Sequence, residues 1–471
     1  MTTIVETLKA IVGEENVLLG QAQRAQKAVD LYAIRLYQRN VGWKPTLPQA
    51  VVCPTSTDQV SKVLKACYEK DIPVIPRGGG SSVVGGCEVR NEEVVVVDLS
   101  KMKEIKNLDQ TNLKVSLEAG LGLEELENWL NERGYTTGHF PQSIGQAEMG
   151  GLVATRSARQ FSTGYGNIED LLLGLEAVLP DGKVVRIKST PRRSTGPDLR
   201  NIFMGSEGAF GIITEVTVKV YPKPNYQWKE SYRLESMRQG IEIARKILRS
   251  GAKPQVLRIH DWLECEKPYG AFMEEDECLM ILLVEGEKAL VDAQAEIISK
   301  IAKEDGAISA GSKPVDIWYE HRNDAADEYE VYGSQGILVD TIEVSGTWSD
   351  LADIYEKTIE RVYYEVPEVL FFSGHSSHSY MTGSNIYFQL GAYPKADIKA
   401  SEEVYMKVWS IVMEEILKYE DATISHHHGI GKQRTSWLKE ELGSSYSLLK
   451  AMKKAFDPKG LMNPGTLLEK E

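Results

Sequence analysis

The stretch PRGGGSSVVGG, at residues 76–86, constrains this chain most, because it places five glycines and two adjacent serines directly after the apolar run DIPVIP. Glycine is needed where a backbone takes a positive φ or approaches a ligand with no Cβ in between. Successive bare amides in such a turn form a concave nest that suits a phosphate. The stretch therefore predicts either a tight surface turn between strands or, across residues 76–82, a cradle for the pyrophosphate of a dinucleotide.

Three further small-residue segments lie in the same half of the chain: QSIGQAEMGG at 142–151, TRSA at 155–158 and GSEGAFG at 205–211. Four such segments, each beside a predicted strand or helix start, favour a long ligand that several loops bind together. The glycine stretch lacks the GxGxxG spacing of a Rossmann site, and the chain contains no GxxxxGK[ST] phosphate-binding pattern. The glycines therefore predict a dinucleotide site of another kind.

The length of 471 residues exceeds one ordinary domain and predicts two or three. In the first half the predicted elements run βαβ and then ββα, which indicates an α+β domain and not a repeating doubly wound array. From about Pro224 helices and strands alternate without glycine clusters, which indicates a second domain. We therefore expect an N-terminal helical segment at 1–44, a first domain at 45–224, a second domain at 225–424, and a C-terminal segment at 425–471 that packs back on the first domain.

Composition and charge exclude several classes of protein. The formal net charge is −14 and the isoelectric point is about 5.3, whereas a nucleic-acid partner normally requires a basic field. No run of about 18 apolar residues exists, so no transmembrane segment is predicted. The first residues, MTTIVETLKAIVGEEN, are typical of an amphipathic acidic helix and not of a signal peptide. The five cysteines form no CxxC pair, so we expect a cytoplasmic protein with reduced thiols.

Five motifs carry a resemblance to a known family: GYTTGHFPQS, YGNIEDL, STGPD, MGSEGAFGIITE and SHHHGIGK. In this order they resemble the vanillyl-alcohol-oxidase, or PCMH-type, FAD-binding flavoproteins, and among these most closely the alkylglycerone-phosphate synthases. The likeness runs from about residue 45 to the C terminus. It implies an α+β fold with a two-subdomain FAD-binding domain, a cap domain whose antiparallel sheet and flanking helices cover the flavin, and a C-terminal return to the FAD domain.

The same resemblance assigns the four small-residue segments to FAD. The residues that it places against the cofactor are Pro76, Arg77, Gly78, Gly79, Gly80, Ser81, Ser82, Gln142, Ser143, Ile144, Gly145, Gln146, Ala147, Glu148, Gly151, Thr155, Arg156, Ser157, Ala158, Gly205, Ser206, Glu207, Gly208, Ala209, Phe210, Gly211 and Ile212. Covalent members of this superfamily often carry a histidine within the glycine segment. Because no histidine stands there in this chain, we expect a non-covalent, dissociable FAD.

The histidine triplet His426, His427 and His428 is the sharpest feature outside the glycines. From the residues alone it predicts a metal site, an acid/base cluster or a partly buried turn. A neutral imidazole can accept a substrate proton as the hydride leaves, which is what flavin oxidation of an alcohol requires. The matching triplet of the synthases is required for their activity, which favours a catalytic role here.

Three more side chains are catalytic candidates. Arg258, in VLRIHD, and Arg322, in WYEHR, are candidate anchors for an anionic substrate, since arginine binds carboxylate or phosphate in a bidentate manner. Surface ion pairs are the alternative for both. By the resemblance both match arginines of the synthase site, and Tyr387, in NIYF, matches its proposed acid/base tyrosine. A tyrosine packed in a strand of the core is the alternative there.

The chain also departs from these relatives. His375, in SGHSSHSY, stands where the synthases have an arginine. Glycolate and D-lactate dehydrogenases carry a metal-binding GHxGDGNxH motif, in which Tyr380 and Tyr387 here replace the two histidines. We therefore predict no metal site of that kind, although His375, His378 and the triplet leave a different one open.

Two functions remain. In the first, a flavoenzyme oxidises the hydroxyl of an anionic 2-hydroxy acid or hydroxy-phosphate by hydride transfer to flavin N5. In the second, an alkylglycerone-phosphate synthase exchanges acyl for alkyl through a flavin N5 adduct without net redox change. A flavin-holding partner subunit without chemistry is a weaker third interpretation. The electron acceptor is open: quinone, oxygen, an electron-transfer flavoprotein or an iron–sulfur subunit. A homodimer is equally open.

Overall fold

The glycine stretch follows a strand of a small, mostly parallel sheet. The computed structural model describes residues 3–324 and 331–469. The strands of this sheet are β1 (Val17–Leu18), β2 (Ala50–Val52), β3 (Val74–Arg77) and β4 (Val95–Asp98). Their order is β1-β2-β4-β3; β1 is antiparallel to β2, while β4 is parallel to both neighbours. Because β3 ends at Arg77, the glycines begin where a strand stops at the carboxyl edge of the sheet.

The N-terminal segment consists mainly of helices and also contains one short strand. Its helices are Ile4–Val12, Gln21–Lys27 and Ala33–Arg39, with a short 3-10 turn at Glu14–Asn16. Between them, Val17 pairs with Val52 and Leu18 with Val51, so the segment adds an edge strand to the first sheet. A two-residue strand gives too short a pattern to be recognised in the sequence.

A second, antiparallel sheet completes the first half of the chain. Its strands, in spatial order, are β5 (Ile105–Asp109), β6 (Lys114–Glu118), β10 (Ile212–Lys219), β8 (Leu172–Val178) and β9 (Val184–Ile187). A minor pair joins β7 (Tyr135–Thr136) to β11 (Tyr221–Pro222). The helices of this half are Thr57–Glu69, Leu123–Asn131, Met149–Ala154, Ser162–Tyr165, Ile168–Leu171 and Arg200–Phe203. One apolar cluster, including Val63, Leu117 and Val216, fills the space between the two sheets.

The second half is built on a seven-stranded antiparallel sheet, as the predicted cap requires. In spatial order its strands are β15 (Ile308–Gly311), β12 (Tyr226–Leu234), β14 (Cys278–Gly286), β13 (Val256–His260), β17 (Val369–Ser376), β18 (Gly383–Ala392) and β16 (Leu338–Thr347). Its helices are Met237–Arg249, Trp262–Tyr269, Lys288–Glu304, Lys313–His321, Leu351–Glu365 and Ile398–Ile416, with a 3-10 turn at Gly270–Phe272.

The two faces of this sheet have different characters. Leu257, Ile259 and Phe372 face a large apolar core that the long helices cover. Because strand side chains alternate, Arg258, His260 and the other polar residues of the same strands lie on the opposite face. That face meets Phe161 of the first half through a smaller aromatic cluster.

The C-terminal segment contacts the glycine stretch. Its helices are Leu438–Leu442 and Tyr446–Phe456, joined by a 3-10 turn at Gly443–Ser445. The buried Lys432 ammonium donates to the carbonyl oxygens of Gly85 (3.3 Å) and Gly86 (3.4 Å). Asn463 N donates to Val74 O at 2.8 Å. The expected domain boundaries themselves stay a prediction. Among the described residues, no helix is long and apolar enough to cross a membrane.

Candidate cofactor and substrate site

A narrow cavity lies where the four small-residue segments converge. The predicted residues that line it are Pro76, Arg77, Gly78, Ser82, Gly151, Thr155, Ser206, Glu207, Gly208, Gly211 and Ile212. Gly86, Cys87, Leu99, Ala119, Gly150, Ala154 and Ile213, which the prediction missed, line it as well. We call this cavity the cofactor slot. Most of its lining residues are small, which suits a flat, extended ligand that must lie close to the main chain.

Glycines allow the loops of the slot to approach one another. A Cβ on Gly79 would overlap the carbonyl oxygen of Gln146, and one on Gly208 would stand 2.6 Å from Pro76 Cγ. Gly208 also has a φ of +78°, which other residues rarely adopt. These contacts join the loop at residues 76–82 to those at 142–148 and 205–211, as the predicted FAD site requires.

Two buried polar atoms lack protein partners, one on Arg77 of the slot and one on Glu148, which lies against Gly78 of the slot. Arg77 Nη1 donates to Val29 O at 2.7 Å, while its Nε has no hydrogen-bond partner in the described residues. Glu148 Oε2 is likewise buried without a partner. Burial, followed by the charge of Asp98, raises the pKa of Glu148 to about 8, so this carboxyl is mostly uncharged at pH 7. A cationic donor beside a neutral carboxyl fits the pyrophosphate of a dinucleotide.

A second cavity of about 550 Å³ adjoins the glycine loop. Gly79, Gly80, Gln146 and Arg77 line one side of it, and residues between 25 and 45, including Lys27, line the other. The N-terminal segment therefore belongs to the surroundings of the cofactor loop. Sequence reasoning missed this because the segment carries no small-residue motif.

The other predicted cofactor residues line neither cavity. They are Ser81, Gln142, Ser143, Ile144, Gly145, Ala147, Glu148, Arg156, Ser157, Ala158, Gly205, Ala209 and Phe210. Phe210 and Ala209 pack against Leu438 in an apolar cluster, and Arg156 pairs with Glu169 at 3.0 Å. Their contact with FAD stays a prediction.

Glu207 fastens the slot to the C-terminal segment. Its carboxylate accepts the backbone N–H groups of Ile430 (2.7 Å) and Gly431 (2.9 Å), just after the histidine triplet. Burial raises the pKa of Glu207 to about 7, although both N–H groups oppose the shift. The loop that lines the cofactor slot therefore also positions the triplet.

On the cap side, a row of polar residues crosses four neighbouring strands. His260 of β13 pairs with His375 of β17, His375 with Tyr387 of β18, and Tyr387 with Glu343 of β16. The rings of His375 and Tyr387 stack 4.7 Å apart. We call these residues the polar row. Strand register brings together residues that are up to 127 positions apart, counted from 260 to 387.

Glu343 organises the histidine triplet, and sequence reasoning missed it. Its buried carboxylate accepts the backbone N–H groups of His426 (3.2 Å), His427 (3.1 Å) and His428. It also accepts from Arg434 Nη2 at 2.8 Å, and both side chains of this ion pair are fully buried. Burial opposes ionisation, but Arg434 and the histidines outweigh it and hold the pKa of Glu343 below its usual value. A glutamate in the middle of a strand was the only available signal.

The triplet begins a chain of hydrogen bonds. His427 Nδ1 lies 2.8 Å from His426 Nδ1, and His426 Nε2 lies 2.8 Å from the Tyr380 hydroxyl. Asn167 Nδ2 donates to that hydroxyl at 2.7 Å. Burial lowers the pKa of His426 to about 4, and it lowers the pKa values of His427 and His428 well below the usual range. All three imidazoles are therefore neutral at pH 7.

The two predicted anion ligands occupy different surroundings. Arg258 is buried, and it donates to His260 and His375 of the polar row. Its guanidinium lies 5.5 Å from the ring centroid of Trp318. Arg322 instead stands over the ring of Tyr319 at 4.1 Å and donates to that residue's carbonyl oxygen. The structure thus brings Arg258, Tyr387 and the triplet into one continuous set of contacts, whereas Arg322 is connected to Arg258 through the rings of Tyr319 and Trp318.

Two groups of side chains could hold a metal ion in the described residues. One is His378 with His426 and His427, and the other is His260 with Glu264 and His375. In the second group the carboxylate and Arg258 already occupy the ring nitrogens. The absence of a metal site therefore stays a prediction.

Comparison with known families decides the identity of both halves. Residues 48–188 match the FAD binding domain family, and residues 223–467 match the C-terminal domain of FAD linked oxidases. The second match alone covers more than half of the chain.

The chain belongs to the FAD-linked oxidases.

Similar proteins support this assignment. A FAD-linked oxidoreductase of Escherichia coli (strain K12), YgcU, described as uncharacterized, is 40% identical over 476 residues, 98% of each chain. An alkyldihydroxyacetonephosphate synthase of Caenorhabditis elegans is 28% identical, covering 90% of this chain and 76% of the synthase. A solved alkyldihydroxyacetonephosphate synthase shares the fold, with a TM-score of 0.81, 23% identity, and coverage of 98% of this chain and 84% of the other.

This FAD-linked oxidase is therefore an enzyme with FAD as its cofactor. The α+β fold of PCMH type with an antiparallel cap sheet is confirmed. The cofactor slot fits FAD, because its glycine contacts, the unpartnered Arg77 Nε and the neutral Glu148 suit a pyrophosphate. The non-covalent mode of binding stays a prediction.

Proposed function

We propose that this FAD-linked oxidase oxidises the hydroxyl group of an anionic substrate, a 2-hydroxy acid or a hydroxy-phosphate. The observation that carries the proposal is one buried set of contacts, in which the Arg258 guanidinium and the neutral imidazoles of the triplet flank His375 and Tyr387. Alcohol oxidation needs a proton acceptor from the protein, and an anionic substrate needs a cation. FAD, when bound, takes up the hydride that leaves the substrate carbon.

Arg258 holds the substrate anion, and an imidazole of the triplet accepts the hydroxyl proton. Burial raises the pKa of Tyr387, so its phenol stays protonated and is available as a hydrogen-bond donor to the substrate. His428 Nδ1 is buried without a partner, 3.7 Å from Glu343. His427 is the better base, because its Nδ1 is connected to His426 and onward to Tyr380. A proton taken at His427 Nε2 is balanced when the Nδ1 proton passes to His426 Nδ1, so the added proton rests on His426, whose Nε2–H donates to the Tyr380 oxygen.

An anaerobic reduction experiment tests this proposal. The purified holoenzyme is mixed with a panel of 2-hydroxy acids, polyols, hydroxy-phosphates and acyl-dihydroxyacetone phosphate, and the flavin absorbance band is followed. We expect an anionic hydroxy compound to bleach the band. If no anionic hydroxy compound bleaches it, the proposal is wrong.

Variants assign the roles. His427→Ala should slow flavin reduction by about 10²–10⁴-fold, the usual contribution of a general base, while FAD stays bound. His428→Ala and Arg258→Ala should also lower turnover with FAD retained. Tyr380→Phe keeps the ring and removes only the hydroxyl that is hydrogen-bonded to His426 Nε2, so it should have a smaller effect than His427→Ala. Loss of FAD from these variants would mean that the residues serve the cofactor and not the reaction.

The alternative is alkylglycerone-phosphate synthesis. The similarity to the synthase of Caenorhabditis elegans along 90% of this chain supports it, as does the retained triplet. In that case acyl-dihydroxyacetone phosphate, supplied together with a fatty alcohol, would give an alkyl product without any electron acceptor. An acceptor protein, such as an iron–sulfur subunit or an electron-transfer flavoprotein, follows only from the oxidation proposal.

A further inference from the structure

Arg258 is held by a carboxylate that it does not touch. Its Nε donates to His260 Nε2 at 3.2 Å, and its Nη2 donates to His375 Nε2 at 3.0 Å. The Nδ1 atoms of the same two rings lie 2.6 Å and 2.9 Å from the Glu264 carboxylate. Since a carboxylate only accepts and a guanidinium only donates, each ring must carry its proton on Nδ1 and be neutral.

This arrangement leaves one edge of the guanidinium free. The side-on edge, formed by Nε and Nη2, is occupied by the two imidazoles. Nη1 has no hydrogen-bond partner in the described residues, so the end-on edge, formed by Nη1 and the outer N–H of Nη2, is available. The ring of Trp318 lies against the guanidinium in a cation–π contact. An end-on arginine edge binds the two oxygens of one planar carboxylate in parallel.

Arg258, His260, His375 and Glu264 form one buried unit, and the net charge of this unit is close to zero. The negative charge of the Glu264 carboxylate balances the positive charge of Arg258. Burial opposes ionisation of Glu264, but the two histidines outweigh it and hold the pKa of Glu264 below its usual value. Asp261, also buried, adds partial negative charge, because burial and then Glu264 raise its pKa to about 7. In the part of the chain that the structure describes, no hydrogen bond joins Arg322 to the unit, and its guanidinium lies over the ring of Tyr319. A buried site without surplus positive charge accepts a second negative charge only at a high energetic penalty.

We infer that Glu264 is a positioning residue, which fixes Arg258 through His260 and His375 and restricts the site to substrates with a single carboxylate in place of a dianionic phosphate. The inference rests on the proposed function and deepens it, because it chooses the 2-hydroxy acid over the hydroxy-phosphate. A phosphate dianion would leave the unit two charges negative, whereas a carboxylate leaves it one.

Matched probes test this selectivity without turnover. Glycolate and hydroxymethylphosphonate present the same hydroxymethyl group on a monoanion and, at pH 8.5, on a dianion. Binding of each to the oxidised holoenzyme is measured by calorimetry and by the flavin difference spectrum at constant ionic strength. We expect wild type to prefer glycolate by at least tenfold. A preference for the phosphonate, or the binding of neither probe, would overturn the inference.

Variants separate charge from structure. Glu264→Gln makes the net charge of the unit more positive by one, so the glycolate preference should fall at least tenfold while glycolate itself binds more weakly. Glu264→Asp keeps the charge and should keep the preference, at lower affinity for both probes. Glu415→Gln removes a buried carboxylate of the distant helix Ile398–Ile416 and should behave as wild type. An equal loss of both probes in Glu264→Gln would indicate a merely structural role and overturn the inference.

Failure of the proposed function is distinguishable from failure of this inference. If no hydroxy acid reduces the flavin but wild type still selects glycolate and Glu264→Gln loses that selectivity, only the oxidation proposal fails. If hydroxy acids reduce the flavin but the preference does not depend on Glu264, only the inference fails. Should Glu264→Gln not fold, the comparison of wild type with Glu264→Asp still decides, because the preference must persist there.

Discussion

The cofactor slot and the polar row are suited to anions in opposite ways. The slot is lined mainly by small residues, and its glycines let loops from distant parts of the chain approach one another. The polar row is made of large ionisable side chains on one face of a buried sheet. A diphosphate that is held by amides needs space and bare N–H groups, whereas a small reacting substrate needs fixed side chains of defined charge.

The carboxyl groups of the two regions show the same contrast. In the slot, burial raises the pKa of Glu148 to about 8 and that of Glu207 to about 7. In the cap, Glu264 and Glu343 are equally buried, yet imidazoles and Arg434 keep their pKa values below the usual range. The charged and hydrogen-bonding partners of a buried carboxyl therefore decide the direction of its pKa shift, and burial alone does not. Neutral carboxyls tolerate a phosphate nearby, and ionised ones fix the positions of imidazole rings and backbone.

Removing charge from the cap should have the largest effect. Glu343→Gln leaves Arg434 buried without its anion and disturbs the three N–H groups of the triplet. Breaking a buried ion pair in this way typically lowers the free energy of unfolding by about 3–5 kcal/mol. Urea denaturation of the holoenzyme measures this loss, and flavin reduction should slow in parallel, because the triplet loses its backbone anchor.

Glu415→Gln is the matched control for this prediction. Glu415 is also buried, but its partners Arg361 and Lys418 are part-exposed and can turn to solvent. We expect a loss of about 1 kcal/mol or less from its ion pairs. Equal destabilisation by both substitutions would show that Glu343 has no special role in holding the triplet.

Adding one methyl group to the slot should have the next largest effect. Gly79→Ala places a Cβ onto the Gln146 carbonyl oxygen, so the loop must shift away from its neighbour. Overpacking of this kind costs about 1–3 kcal/mol, which corresponds to a loss of roughly ten- to hundredfold in FAD affinity. Fluorescence titration of the apoprotein with FAD measures it. In contrast, Gly270→Ala, with nothing within 4 Å of the added Cβ, should bind FAD normally.

The slot could be predicted from the sequence because the close packing of its loops depends on a single residue type, glycine. Close approach of backbone segments requires glycine, so the segments at 76–82 and 205–211 could be recognised by their glycines. The same logic could not find Lys27 and the N-terminal wall of the second cavity, since those residues contribute ordinary side chains.

The polar row could be predicted only in part, because it depends on strand register. Arg258, Tyr387 and the triplet were recognised through a family resemblance. Glu343 and Glu264 act through partners that are far away in the chain, and only the pairing of β13, β17, β18 and β16 brings those partners near. A one-residue change of register would turn the whole row to the other face, so no local pattern encodes it.

The smallest predicted effect concerns the pH dependence of FAD binding. Ionisation of Glu148 places a negative charge beside the glycine loop, so FAD affinity should fall as the pH rises through about 8 and approach a tenfold loss per pH unit above it. The sign is the same for folding of the apoprotein: the raised pKa stabilises the folded state below the pKa of the unfolded carboxyl, and this contribution is lost as the pH rises through about 8. Titrations with FAD between pH 6 and pH 9.5 measure the slope.

Glu148→Gln should remove this pH dependence, because the amide keeps the shape of the side chain and cannot ionise. Glu124→Gln is the matched control, since Glu124, in the helix Leu123–Asn131, lies near Gly145 but is exposed and should leave the slope of wild type unchanged. If Glu148→Gln retains that slope, the neutral carboxyl has no part in accepting the phosphates. The slot would then depend on its bare amides and Arg77 alone, and the contrast with the charged polar row would be sharper still.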